Sequence, residues 1–169
     1  NDSNILWVAT ENGINRVNIT ANEVENFLVT SDTKTTYNQS NILNIVEDNQ
    51  QRLWLTTSLG IVLFDLKSQK LVDLPFSDAV NKRLQLNVFT MDIDEQQRLW
   101  YLDEKSLQFI SLVTGEVNEL VELNSSFAKD PIWNILGFLP ESQKLFFSTN
   151  NALWQYDIEN AQVKLLYKH

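Results

Sequence analysis

The sequence predicts an all-β chain made of about four copies of one four-stranded antiparallel sheet, the first copy lacking its innermost strand. Three observations carry this. An aromatic residue recurs at Trp7, Trp54, Trp100 and Phe146, at intervals of 47, 46 and 46 residues. Six residues after each comes a small residue (Gly13, Gly60, Ser106, Ala152), followed at once by Ile or Leu. Apolar residues alternate or run in short β-branched and aromatic stretches, and no segment keeps a 3.6-residue apolar period over a dozen residues.

The second unit shows the elements in order, with strands expected over roughly 42–47, 52–57, 60–66 and 70–74. The polar turn Asp48-Asn49-Gln50-Gln51 separates the first pair, and Ser58-Leu59-Gly60 the second. Glycine at position 60 supplies the positive φ that a tight hairpin needs. Four residues beyond the Ile/Leu position stand Asn18, Asp65, Ser111 and Asp157, each able to bond its own backbone in a turn. Upstream, "ILNIVEDNQQR" (42–52) matches "VFTMDIDEQQR" (88–98) without a gap, and "NILGFLPESQK" (134–144) continues the series more loosely.

The first unit opens at "ILWVAT" (5–10), its second strand, so fifteen strands are expected where four complete sheets would hold sixteen. The units run over about 1–28, 41–74, 87–121 and 132–167 within one fragment, 1–169. Four short strands at this period are the pattern of a β-propeller blade, in which each sheet packs broadside on its neighbours around a central axis. Burial on both faces explains Ile61-Val62-Leu63-Phe64. Trp7, Trp54, Trp100 and Phe146 are then expected between blades, with Gly13 and Gly60 at the turns, as the structural core of the repeat. With one strand short of a ring, the chain reads as part of a larger propeller or as a half that pairs with a second copy.

Composition narrows the function. The chain has 169 residues, 43% of them hydrophobic, enough to bury a core. Its formal net charge is −9, which disfavours nucleic acid and anionic membrane surfaces, since both need clustered Lys and Arg. No apolar run is long enough for a bilayer-spanning helix, so no direct membrane insertion is expected from this fragment. It begins at Asn1 without a signal peptide, as a mature or trimmed product would. Without cysteine there is no disulfide or thiolate chemistry.

The catalytic inventory is thin: one histidine at the last position, and no Gly-x-Ser-x-Gly elbow or phosphate-cradling loop. Carboxylates are the remaining acid–base candidates. Glu47, Asp48, Asp92 and Asp94 suggest a glycosidase pair, but they fall where each unit turns between its first two strands, and capping explains them better. Asp92-x-Asp94 lacks the glycine of a calcium loop. No catalytic residue, cofactor or metal is expected.

Binding is the better expectation. The connections between blades, "VTSDTKTTYNQSN" (29–41), "PFSDAVNKRLQLN" (75–87) and "ELNSSFAKDPIW" (122–133), are the longest loops and belong to one rim of the central channel. Tyr37, Phe127 and Trp133 are candidates to stack on a sugar or aromatic ligand, although Trp133 also fits the core of its inner strand. Asn38, Asn41, Asn87, Arg83 and Lys129 are candidates for hydrogen bonds or an anion, against the plainer reading of solvated side chains.

The phrase "NILNIVEDNQQRLWLTTSLGIVLFD" (41–65), with "LWVATENGINRVN" (6–18) as the next best copy, resembles the two-component regulator propeller repeat. The third copy departs from it at Asp103 and Ser106, and the fourth at Phe146 and Ala152. The resemblance implies a periplasmic, extracytoplasmic sensor region of a bacterial inner-membrane signalling protein. In that family the output is often a hybrid histidine kinase and sometimes a diguanylate cyclase (GGDEF), without the resemblance saying which follows here, and the ligands are often oligosaccharides. The alternatives are a structural or protein-binding propeller without a small ligand, and a polysaccharide-acting enzyme.

Overall fold

The computed structural model describes residues 4–11, 13–27, 41–57, 60–85, 88, 90–103, 106–139 and 143–169. Among them are fifteen strands in four antiparallel sheets. The first sheet holds three strands, β1 (Ile5–Thr10), β2 (Gly13–Asn18) and β3 (Glu23–Phe27). The second holds β4 (Ile42–Glu47), β5 (Arg52–Thr57), β6 (Gly60–Asp65) and β7 (Lys70–Val72). A short helix, α1 (Asp78–Leu84), leads to the third, β8 (Thr90–Ile93), β9 (Arg98–Leu102), β10 (Leu107–Ser111) and β11 (Val117–Glu119). After α2 (Val121–Ser126) comes the fourth, β12 (Ile132–Leu139), β13 (Lys144–Thr149), β14 (Ala152–Asp157) and β15 (Gln162–Lys168). Strands within each sheet follow chain order, so every sheet is a meander, and β1, β4, β8 and β12 are consecutive neighbours. This is an all-β propeller fragment.

Three apolar seams hold the sheets together. Trp7 and Ala9 of the first blade pack with Leu53, Leu55 and Phe64 of the second. Trp54 and Leu63 of the second meet Met91, Leu99, Tyr101 and Ile110 of the third. Trp100 and Leu107 of the third meet Leu145, Phe147 and Tyr156 of the fourth. The tryptophan of one blade therefore always faces the next, and Trp54 and Trp100 are fully buried. Phe146 is the exception: its ring lies on the side of the last blade that no described residue covers, and it is half-buried.

The turns repeat as faithfully. Asn18, Asp65, Ser111 and Asp157 each accept backbone N–H groups two or three residues on, at 2.7 to 3.3 Å. Gly13 and Gly60 hold φ of 101° and 104°, and Thr10 and Thr57 clamp those turns by donating to the Gly13 and Gly60 carbonyls, both at 2.9 Å. Where the third blade lacks both Thr and Gly, the Asp103 carboxylate accepts the Ser106 N–H at 2.9 Å instead.

Two short helices stand in connections expected from the sequence to be loops. At seven and six residues they are shorter than the window in which an apolar helical period is visible. Each covers the turn between its blade's middle strands. A Cβ on Gly60 would stand 2.4 Å from the backbone of Gln85 just after α1. Asn124 of α2 bridges the N–H and carbonyl of Leu107, at 2.9 and 3.1 Å.

Candidate functional site

Meandering blades put two kinds of loop at each end. The connections between blades share a rim with the turns joining each blade's second and third strands. Asn41, Arg83, Lys129 and Trp133 all lie at this rim: before β4, in the last turn of α1, after α2, and as the second residue of β12. The innermost strands enter here with a matching irregularity. Pairing slips between Ile42 and Asn44 and again between Ile132 and Asn134, so Leu43 and Trp133 are equivalent bulge residues. A bulge residue drops out of the ladder and turns its side chain away from the regular alternation. Leu43 is 51% and Trp133 69% exposed. Trp133 is therefore not in the core of its strand, the alternative its position in the sequence left open.

Phe127 requires a correction. It is 8% exposed and packs edge-on against Phe147 and Trp154, with centroids at 5.2 and 5.0 Å. It belongs to the seam under α2, not to a binding surface. Asn41 and Lys129 are exposed. Arg83 is exposed too, with its guanidinium 4.0 Å from the Glu119 carboxylate. Tyr37, Asn38 and Asn87 lie outside the described residues.

Behind the rim is a recess of about 220 Å³ lined by Asp103, Ser106, Asn124, Phe127 and Pro131. Its polar groups are already engaged. Asp103 and Ser106 both take the Gln108 amide, at 2.7 Å each, and Gln108 accepts the Tyr101 hydroxyl at 3.1 Å. Burial pushes the Tyr101 phenol up to about 12. Pockets for drug-sized ligands run to roughly 300–1,000 Å³, so this recess is too small to enclose one.

The four carboxylates lie at the opposite end and do not compose a catalytic pair. Asp48 and Asp94 are buried and accept the guanidinium N–H groups of Arg52 and Arg98, at 2.7 and 2.6 Å. A carboxylate so paired is held as a structural anion. Asp92 lies in the seam between the third and fourth blades and accepts the Phe138 N–H, and burial raises its pKa. Glu47 is exposed on the turn. Among the described residues, no three His, Cys, Asp or Glu stand together as a metal site, and no helix is long and apolar enough to cross a membrane.

No protein-family profile and no curated protein matches the chain. Solved structures do. The extracellular domain of the hybrid two-component system BT4673 from B. thetaiotaomicron superposes with a TM-score of 0.69 at 16% identity, over 98% of this chain and 20% of that one. That of BT3049 from the same organism gives 0.69 and 16%, over 99% and 22%. U3-55K gives 0.69 at 12%, over 99% of this chain and 50% of that one. The shared property is the fold. This chain spans about a fifth of the length of the first two.

Proposed function

We propose that the chain is a non-catalytic, ligand-sensing propeller segment from the extracytoplasmic side of a bacterial membrane signalling protein, with a histidine kinase as its output. The observation that carries this is the rim. An inner strand presents the Trp133 indole two-thirds exposed, whereas Trp54 and Trp100 are sealed between blades. A large apolar ring left in water at the same rim as exposed Asn41, Lys129 and Arg83 matches the composition of a binding surface, an apolar platform with a few polar groups. The likeness to extracellular domains of two-component systems supports the sensing role and the location.

A ligand at this rim signals only by binding two arrangements of the protein with different affinity. Oligosaccharides fit the platform, since a sugar ring offers an apolar face to Trp133 and hydroxyls to the polar rim. The test is thermal-shift screening of the wild-type chain and Trp133→Ala against a panel of oligosaccharides. A ligand at a hundredfold excess over Kd stabilises by about 2.7 kcal/mol. A shift present in the wild type and absent in Trp133→Ala supports the proposal. A panel without effect on either chain overturns it, and favours a propeller that binds protein alone.

A further inference from the structure

We propose that Asp130 is a positioning residue of the rim surface: its carboxylate fixes the stretch that carries Lys129 and Trp133 to the turn between β13 and β14. The proposal rests on the reading of that surface as a binding site, but its test needs no ligand, so the failure of one is distinguishable from the failure of the other.

In the first and second blades the turn between the second and third strands is closed by its own threonine. Thr10 and Thr57 donate to the Gly13 and Gly60 carbonyls, both at 2.9 Å. Thr149 occupies the same position in the fourth blade, but its hydroxyl lies 3.5 Å from the Ala152 carbonyl and 2.6 Å from Asp130 Oδ2. A hydroxyl has one proton to give, and an ionised carboxylate is the stronger acceptor. The group that elsewhere closes its own turn is therefore directed at the connection between blades. Asn151 donates its amide to Asp130 Oδ1 at 3.0 Å, so one turn holds both carboxylate oxygens.

The stretch that Asp130 anchors is short. Phe127 is sunk in the seam against Phe147 and Trp154, and the Asp130 N–H donates back to the Phe127 carbonyl at 3.1 Å. Pro131 follows with its φ fixed by the ring, and Ile132 opens β12 opposite Thr149. Lys129 and Trp133, both exposed, lie on either side of this anchor. Trp133 is a bulge residue outside the ladder that aligns the rest of β12, so its place depends on how the chain approaches the strand. Side chains fixed before a ligand arrives spare it the cost of ordering them.

Fluorine NMR of the chain labelled with fluorotryptophan tests this. Its five tryptophans give separate lines, each identified by its loss when that residue is replaced by Phe. Asp130→Ala is expected to move the Trp133 line toward the position of free fluorotryptophan and to narrow it, with the Trp54 and Trp100 lines unmoved. Thr149→Val, which removes one donor, and Asp130→Asn, which retains an acceptor, are expected to give smaller shifts in the same direction. Adding Thr149→Val to Asp130→Ala is expected to shift nothing further, because the two residues act through one bond. A Trp133 line unmoved in Asp130→Ala overturns the proposal. Should Asp130→Ala move every line, Thr149→Val decides: a shift confined to Trp133 supports the proposal, and no shift or a general one overturns it.

Discussion

The indole N–H of Trp54 donates to Asp48 Oδ2 at 2.9 Å, and Trp100 repeats the bond to Asp94 at 2.8 Å. The same carboxylates hold the tips of their turns, Asp48 accepting the N–H groups of Gln50 and Arg52 at 2.8 and 3.1 Å. The guanidiniums of Arg52 and Arg98 lie 5.7 and 5.5 Å from the indole centroids. One anion therefore ties the first turn of a blade to the ring that packs on the next blade. The two turns are also joined directly, the Asn49 N–H donating to Gln97 Oε1 at 3.1 Å.

Removing that anion leaves a buried guanidinium and an indole N–H without a partner. The Asp48 side chain is 1% and that of Arg52 14% exposed, so the pair counts as buried, and breaking such a pair costs about 3–5 kcal/mol. Asp48→Ala is expected to lose stability in that range by urea denaturation. Replacing Asp48 and Arg52 together with apolar residues is expected to cost less than Asp48→Ala alone. Equal losses would show that the buried charge is not the cause.

This device was half visible in the sequence. The spacing Asp-x-x-x-Arg-x-Trp at 48, 52 and 54 recurs at 94, 98 and 100, and the repeat pointed to capping Asp residues, but an indole partner is a property of three dimensions. Positions whose role is local and repeated were the most legible: the Gly13 and Gly60 turns, the Asp65 and Asp157 caps, the interblade tryptophans. Phe127 was misread because a six-residue helix is too short to display a buried stripe. Trp133 was ambiguous because a bulge breaks the alternation from which burial on β12 would be read.

Gly60 is expected to be the least replaceable glycine. Its φ of 104° is costly for any L side chain, and a Cβ would meet the Gln85 backbone at 2.4 Å, so a main-chain segment would have to move. Such strain costs on the order of 1–3 kcal/mol before the clash is counted. Gly60→Ala is expected to lose more than about 2 kcal/mol. Gly115→Ala, whose Cβ would meet only the Phe76 ring at 3.3 Å, is expected to lose less. Reversal of that order in chemical denaturation would mean that α1 yields easily.

Asp92 gives the stability a pH dependence of known sign. It sits in the seam where the second blade has Val46, and burial, with a smaller push from Asp94, raises its pKa. A raised carboxyl pKa means that the folded chain holds the proton more tightly than the unfolded one. The stabilisation is complete below the unfolded value of about 4 and is lost as pH rises through the folded value. Asp65 and Asp157 act in the opposite sense, since hydrogen bonds from Ser68 and Asn160 lower theirs. Asp92→Asn isolates the first effect. The variant is expected to melt higher than the wild type at neutral pH, with the difference vanishing in acid. A variant that melts lower at neutral pH would mean the ionised carboxylate stabilises the seam.

The aromatic series predicts a gradient of stability along the chain. Trp54 and Trp100 are each completely buried, Trp54 stacked on Phe76 at 5.9 Å and Trp100 tilted at 40° against Phe109 at 4.8 Å. Truncating either to Ala is expected to cost about 3–5 kcal/mol, the range for a buried Trp or Phe. Phe146 occupies the equivalent position but is only half-buried. In the isolated monomer Phe146→Ala is expected to cost about 1 kcal/mol, the centre of the range for single substitutions in general. The comparison needs dilute protein, because any blade docked on that face would restore the cost of a buried ring. A Phe146→Ala loss as large as that of Trp54→Ala under dilute conditions would mean that the end face is covered within a single chain.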